Sequence, residues 1–232
     1  MQRIAIAPHQ IQNQQITLTS KQQHYLYRVL RLQKGDKFIA MDGMGQWWLS
    51  QLSDTNAQIL HEIIVETELP IAVTLMIALP KGNGFDEVVR CCTELGVACI
   101  APVISDRTLL KPSSQKLERW YRIAQEAAEQ SERTKIPEIL EPVAFNQSVS
   151  SFVNTEKYIC VARGDSPHLF HYLENQPEQN VVVATGAEGG WTQKEVEIAL
   201  ENGFQPVSLG NRILRAVTAP IMVMSLISAV FK

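Results

Sequence analysis

The 232-residue chain reads as an α/β protein preceded by a small β-rich domain. Three observations carry this. From Val73 onward, apolar runs of strand length alternate with helical stretches, the pattern of a mostly parallel sheet with crossover helices. Residues 1–68 instead hold several short β-type runs around one helix, as a small barrel does. Between them Glu66-Thr-Glu-Leu-Pro70 breaks both patterns and reads as a linker. The expected domains are therefore 1–68 and 71–232.

In the first domain Arg3–Ala7 is a strand. Lys37–Met41 and Gln46–Leu52 flank Asp42-Gly-Met-Gly45, a hairpin signal, and Gln58–Glu66 is a further run rich in Ile and Val. One helix, Ser20–Leu30, takes Thr19 or Ser20 as its cap. Leu26, Val29 and Leu30 form its apolar face. Lys21, His24, Arg28 and Arg31, spaced by three, four and three, form one stripe on the other. A solvated helix face is the plain reading of such a stripe. No acid interrupts it, however, and residues 1–37 hold six basic residues and one acid in a chain of net charge −3. A basic end on an acidic body points to one nucleic-acid face, so the stripe and Arg3 are candidate RNA contacts.

In the second domain Val73–Leu79 reads as a buried strand and Lys81-Gly-Asn-Gly84 as a turn. Phe85–Leu95 is a helix stopped by Gly96, and Ala98–Val103 is the next strand. After Asp106-Arg107-Thr108 a long helix runs from Ser114 to about Arg133. On it Glu126, Gln130 and Arg133 share a face. Surface pairing such as Glu129 with Arg133 is the plain alternative, and Ala124, Ala127 and Ala128 admit close packing. Strands near Glu138–Leu140 and Tyr158–Ala162 follow, then Arg163-Gly-Asp165, a loop at a strand end.

The last third is the most informative. Val181–Ala184 has the composition of a fully buried strand and ends in a turn holding Gly186, Gly189 and Gly190. Thr192 and Glu195 form a capping box for a helix, Gln193–Leu200, that stops at Asn202-Gly203. Pro206–Leu209 is a second strand that meets a second glycine turn at Gly210. Ile213–Arg215 then leads into an apolar helix, Ala216–Phe231. Two glycine turns at strand ends, with Glu188 and Arg215 beside them, mark a ligand site, because ligands bind at strand ends and glycine lets backbone approach them. The spacing fits neither the dinucleotide fingerprint nor the Walker loop, which disfavours a dehydrogenase or NTPase.

The four cysteines form no CxxC pair and the five histidines lack partners for a ligand set, so neither disulfides nor a metal site is expected. No apolar run reaches bilayer length, and a cytoplasmic protein is expected.

Thr185-Gly-Ala-Glu-Gly-Gly-Trp-Thr192 with Glu195, then Leu209-Gly-Asn-Arg-Ile-Leu-Arg-Ala-Val-Thr-Ala219, resemble the C-terminal signature of a known family. These are the methyltransferases acting on N3 of a uridine in 16S ribosomal RNA, of the SPOUT (trefoil-knot) superfamily. His24–Asp36 resembles the same family's N-terminal signature, and Glu126–Pro137 matches its E-A-x-E-Q-x-x-R-x-x-x-P pattern. Ala187 and Val217 depart from it, standing where the family has proline and glutamate. Cys91 stands where lysine is common. The resemblance implies a PUA-like β-barrel at 1–68 and a SPOUT-type knotted α/β methyltransferase domain at 71–232. It implies S-adenosylmethionine as cofactor, 16S ribosomal RNA in the small subunit as partner, and a homodimer. The cofactor contacts expected are Thr185, Gly186, Glu188, Gly189, Leu209, Gly210, Ile213 and Leu214. Arg215, then Arg133, is the expected catalytic cation, and Gln130 joins Arg3, Lys21, His24, Arg28 and Arg31 as an expected RNA contact. A non-catalytic, ribosome-associated RNA-binding protein is the alternative.

Overall fold

The computed structural model describes residues 1–108, 112–174 and 180–231. The chain divides into two compact units, Met1–Glu68 with Ala128–Ile136, and Leu69–Ala127 with Pro137–Lys232.

The first unit is built on β1 (Arg3–Ala5), β2 (Ile11–Gln12), β3 (Gln15–Thr17), α1 (Ser20–His24), β4 (Lys37–Met41), β5 (Trp47–Ser53) and β6 (Asn56–Ile63). The sheet order is β1-β4-β5-β6-β3-β2, with only β1–β4 parallel. β1 and β2 remain edges, so the sheet is a half-barrel. Ile4, Ile16, Leu26, Phe38 and Leu52 fill its concavity. The β2–β3 hairpin escapes sequence reading because its turn, Asn13-Gln14, takes left-handed φ of 50° and 61° without a glycine.

The expected helix Ser20–Leu30 is α-helical only to His24. Tyr25–Val29 forms a π-turn, closed by the Leu30 N–H donating to the Tyr25 carbonyl at 2.9 Å. The wider turn lets Leu26 be fully buried while Tyr25, Tyr27 and Leu30 pack against the core. Arg31 lies beyond it at φ 57°, so the four-cation stripe is not the face of one regular helix.

Ala128–Ile136 corrects the expected boundary, which put all of 71–232 in the second domain. Ala128 is buried with Ile39, Met41 and Trp47, and Glu129 accepts the Ala5 N–H at 2.9 Å. The Ile136 N–H donates to the Gly43 carbonyl at 2.9 Å. Local periodicity cannot show which unit a segment packs on.

The second unit holds β7 (Val73–Ala78), α2 (Gly84–Glu94), β8 (Cys99–Ile104), α3 (Ser114–Gln130, whose last residues belong to the first unit), β9 (Glu138–Ile139), β10 (Val143–Ala144) and α4 (Phe145–Val149). It continues with β11 (Glu156–Cys160), α5 (Leu169–Leu173), β12 (Val181–Thr185), α6 (Gln193–Glu201), β13 (Gln205–Val207) and α7 (Thr218–Val230). The sheet runs β10-β8-β7-β12-β11-β13, with β9 on β8, and every pairing is parallel. β12 is buried at all five positions, as its unbroken apolar run requires of a strand covered on both faces. Phe85 of α2 packs on Trp120 of α3 with ring centroids 4.4 Å apart. Ile213–Arg215 has no regular structure, a turn follows at Ala216-Val217, and α7 starts two residues later than expected.

Candidate active site

All strands of the second sheet point the same way, so their carboxyl ends share one edge, where α/β proteins form clefts. A cavity of about 420 Å³ opens there. It is lined by the chain that leaves β12 (Gly186, Ala187, Gly189 to Trp191), β13 (Leu209, Gly210, Arg212, Leu214, Ala216) and β11 (Val161 to Arg163, Ser166), together with Arg107 after β8. The volume suits a drug-sized ligand, for which roughly 300–1,000 Å³ is usual.

The first glycine turn is compact. A Cβ on Gly186 would stand 3.2 Å from Gly190 Cα and 3.4 Å from the Trp191 nitrogen, so a side chain there would push the turn open. The Gly190 N–H closes it on the Ala187 carbonyl at 2.8 Å. The capping box forms as the sequence implies: Thr192 Oγ1 accepts the Glu195 N–H at 3.2 Å, and Glu195 Oε2 accepts the Thr192 N–H at 2.7 Å. The other oxygen of buried Glu195 accepts the Asp106 N–H at 2.8 Å, and Arg107 Nη1 donates to the carbonyls of Gly189 and Trp191. The loop after β8 is thus stitched to the glycine turn. In the second turn Gly210 takes φ 107°, which L side chains avoid, while its N–H donates to Ser208 Oγ at 3.0 Å.

Of the expected cofactor contacts, Gly186, Gly189, Leu209, Gly210 and Leu214 line the cavity. Thr185 is fully buried in β12 and does not. Glu188 instead accepts the Lys81 N–H at 2.9 Å, and Ile213 is 67% exposed. Arg215 is exposed, stands between the lining residues Leu214 and Ala216, and makes no ion pair among the described residues.

Arg133, the second expected catalytic cation, is placed otherwise. α3 ends at Gln130 and Glu132 turns the chain at φ 64°, so Arg133 does not share a helix face with Glu126 and exposed Gln130. It is buried in the first unit, with Nη2 2.5 Å from Glu68. Glu68 also accepts the N–H groups of Thr134 and Lys135 at 3.0 and 3.1 Å. Burial alone would raise the Glu68 carboxyl; Arg133, Lys135 and Thr134 outweigh it and hold it below its ordinary value. Arg3, the remaining expected RNA contact of the first unit, pairs with Glu132 at 2.6 Å, and its guanidinium lies 5.2 Å over the Trp47 ring. Lys21, His24, Arg28 and Arg31 are all exposed.

Sequence reasoning passed over Arg107, Arg163 and Arg212 as lining residues. Each follows the carboxyl end of a parallel strand, and that placement was the available signal.

A family model described as an RNA methyltransferase domain matches residues 67–228, and a second, an RNA methyltransferase PUA domain, matches residues 18–61. The chain belongs to the RNA methyltransferase family. It is 52% identical to ribosomal RNA small subunit methyltransferase E of Synechocystis sp., over 99% of this chain and 78% of that one. The same enzyme of Bacillus subtilis is 29% identical, over 91% and 89%. Among solved structures, ribosomal RNA small subunit methyltransferase E from Neisseria gonorrhoeae, bound to S-adenosylmethionine, superimposes with a TM-score of 0.91 at 30% identity, covering 100% of this chain and 98% of that one. A Legionella pneumophila methyltransferase in complex with the same cofactor gives 0.88 at 29%, covering 98% and 96%. The fold is thus the SPOUT α/β methyltransferase fold with an N-terminal PUA domain.

Within this RNA methyltransferase the two departures have plain settings. Ala187 is buried and contributes to the cavity wall. Val217 packs on α2, its Cγ2 2.8 Å from where a Cβ of Gly84 would stand, so it fills space rather than supplying an acid. Partial burial, with a hydrogen bond to Glu87, pushes the Cys91 thiol up from its ordinary value. Among the described residues no helix is long and apolar enough to cross a membrane, and no cluster of His, Cys, Asp or Glu could hold a metal.

Proposed function

We propose that this chain methylates N3 of a uridine in 16S ribosomal RNA of the small subunit, using S-adenosylmethionine. The observation that carries the reading is the cavity at the strand ends, walled by the two glycine turns of the family signature. Its wall fits the cofactor: main chain at Gly186, Gly189, Leu209 and Gly210 meets polar edges, and Val161, Val196 and Pro206 offer apolar surface to a flat base. When bound, the cofactor supplies an electrophilic methyl group on a sulfonium.

The chain's own task is to hold the uracil in line and make its N3 nucleophilic. That nitrogen carries a proton at neutral pH, and its anion spreads charge onto O2 and O4. Arg215 is suited to stabilise this charge, because a guanidinium stays charged and offers several donors. Its exposure beside two lining residues, without an ion pair among the described residues, supports the role. Arg133 already has Glu68, and the reading assigns it a structural part. Lys21, His24, Arg28 and Arg31, with Gln130, grip the RNA backbone, and action in the cytoplasm as a homodimer completes the reading. Exposed Phe170 and Ile213 in the second unit offer apolar surface for a second copy, which a light-scattering mass would test.

The test is transfer of labelled methyl from S-adenosylmethionine to small subunits that lack the modification. Label recovered as N3-methyluridine is expected. Cofactor binding without transfer would overturn the catalytic reading and favour the RNA-binding alternative.

A further inference from the structure

The charge of the cavity wall is one-sided. Arg107, Arg163 and Arg212 line it, and among the described residues no Asp or Glu does. Arg107 is held by the Gly189 and Trp191 carbonyls. Arg163 and Arg212 are exposed, and their side chains make no hydrogen bond or ion pair among the described residues. They follow the carboxyl ends of β11 and β13, which are neighbours in the sheet, so both stand on one side of the cavity.

S-adenosylmethionine carries a sulfonium, an ammonium and one carboxylate, and is a net cation at neutral pH. A wall built for it alone would be neutral or acidic, since like charges repel through a cavity that excludes water. A wall whose charged residues are all cationic is complementary to an anion that arrives beside the cofactor. In a site that acts on RNA, that anion is phosphate.

We propose that Arg163 and Arg212 are RNA-phosphate ligands at the rim of the cofactor cavity, clamping the backbone next to the target nucleotide, and are not cofactor ligands. This rests on the methyltransferase reading above. It carries a sign that a cofactor-binding arginine would not: removing either charge weakens RNA while leaving cofactor affinity unchanged or improved. It also couples the two ligands, because phosphates that neutralise the arginines ease the cation's entry, and the coupling is reciprocal.

The experiment compares wild type, Arg163→Ala, Arg212→Ala and Arg163→Lys. Calorimetry with S-adenosylmethionine gives cofactor affinity, and S-adenosylhomocysteine binding shows that each variant keeps a folded cavity. Methyl transfer to unmodified small subunits at several KCl concentrations gives the KM for RNA. Each Ala variant is expected to raise that KM about three- to tenfold and to flatten its dependence on log salt by about 0.7–0.9, one phosphate contact, while cofactor Kd stays equal or falls. Arg163→Lys keeps most of the salt slope. A cofactor Kd raised about tenfold with the RNA KM unchanged would assign the arginines to the cofactor carboxylate and overturn the proposal. An RNA KM unmoved in both Ala variants would overturn it as well. Wild type that binds no S-adenosylmethionine would instead remove the reading on which it rests.

Discussion

Ala128–Ile136 and Leu209–Ala216 each carry arginine within a family-like motif, and the fold treats them in opposite ways. In the first, Arg133 is 4% exposed and paired through Nε and Nη2 with Glu68, which also accepts the N–H groups of Thr134 and Lys135. In the second, Arg212 and Arg215 are exposed on the irregular segment that follows Gly210. The lesson is physical. A guanidinium surrounded by its own acceptors holds structure, because breaking a buried pair strands a charge. One left without acceptors at a cavity rim is available to a ligand.

Substitutions in the two segments should therefore fail differently. Arg133→Ala is expected to lower stability by about 3 kcal/mol, read from the urea midpoint, by leaving the partly buried Glu68 carboxylate without its cation. A loss below 1 kcal/mol, with transfer abolished, would move Arg133 back to the chemistry. Arg215→Ala should do the reverse. Transfer falls by about 10²–10³-fold while stability changes by less than about 0.5 kcal/mol and cofactor binding is kept.

The pair also sets an acid response. Glu68 has its folded pKa below its ordinary value of 4.5, so its contribution is complete above that pH and is lost as pH falls through the folded value. Unfolding free energy should drop less steeply below pH 4.5 in Glu68→Gln than in wild type, from a lower starting stability. Parallel curves would deny the carboxylate this role. The smallest effect belongs to the first unit's exposed cations: Arg28→Ala is expected to weaken RNA binding about two- to threefold, with a shallower salt dependence.

Much of this was legible in the sequence where the cause is local. β4 has the bounds its pattern implies, and the Thr192–Glu195 capping box forms because its hydrogen bonds span three residues. The glycines of both cavity-lining turns were visible for the same reason. What escaped depends on distant partners. Nothing in Glu126–Arg133 shows that Glu132 will turn left-handed, or that Glu68 will reach Arg133 across 65 residues. Arg107, Arg163 and Arg212 became a group only when three strand ends met at one edge of the sheet.

The most direct test of the account is mass mapping of 16S ribosomal RNA from cells with and without this chain. One uridine should lose the mass of a single N3-methyl group in its absence. It should regain that mass with the wild-type chain but not with Arg215→Ala. An RNA whose mass is the same with and without the chain would contradict it.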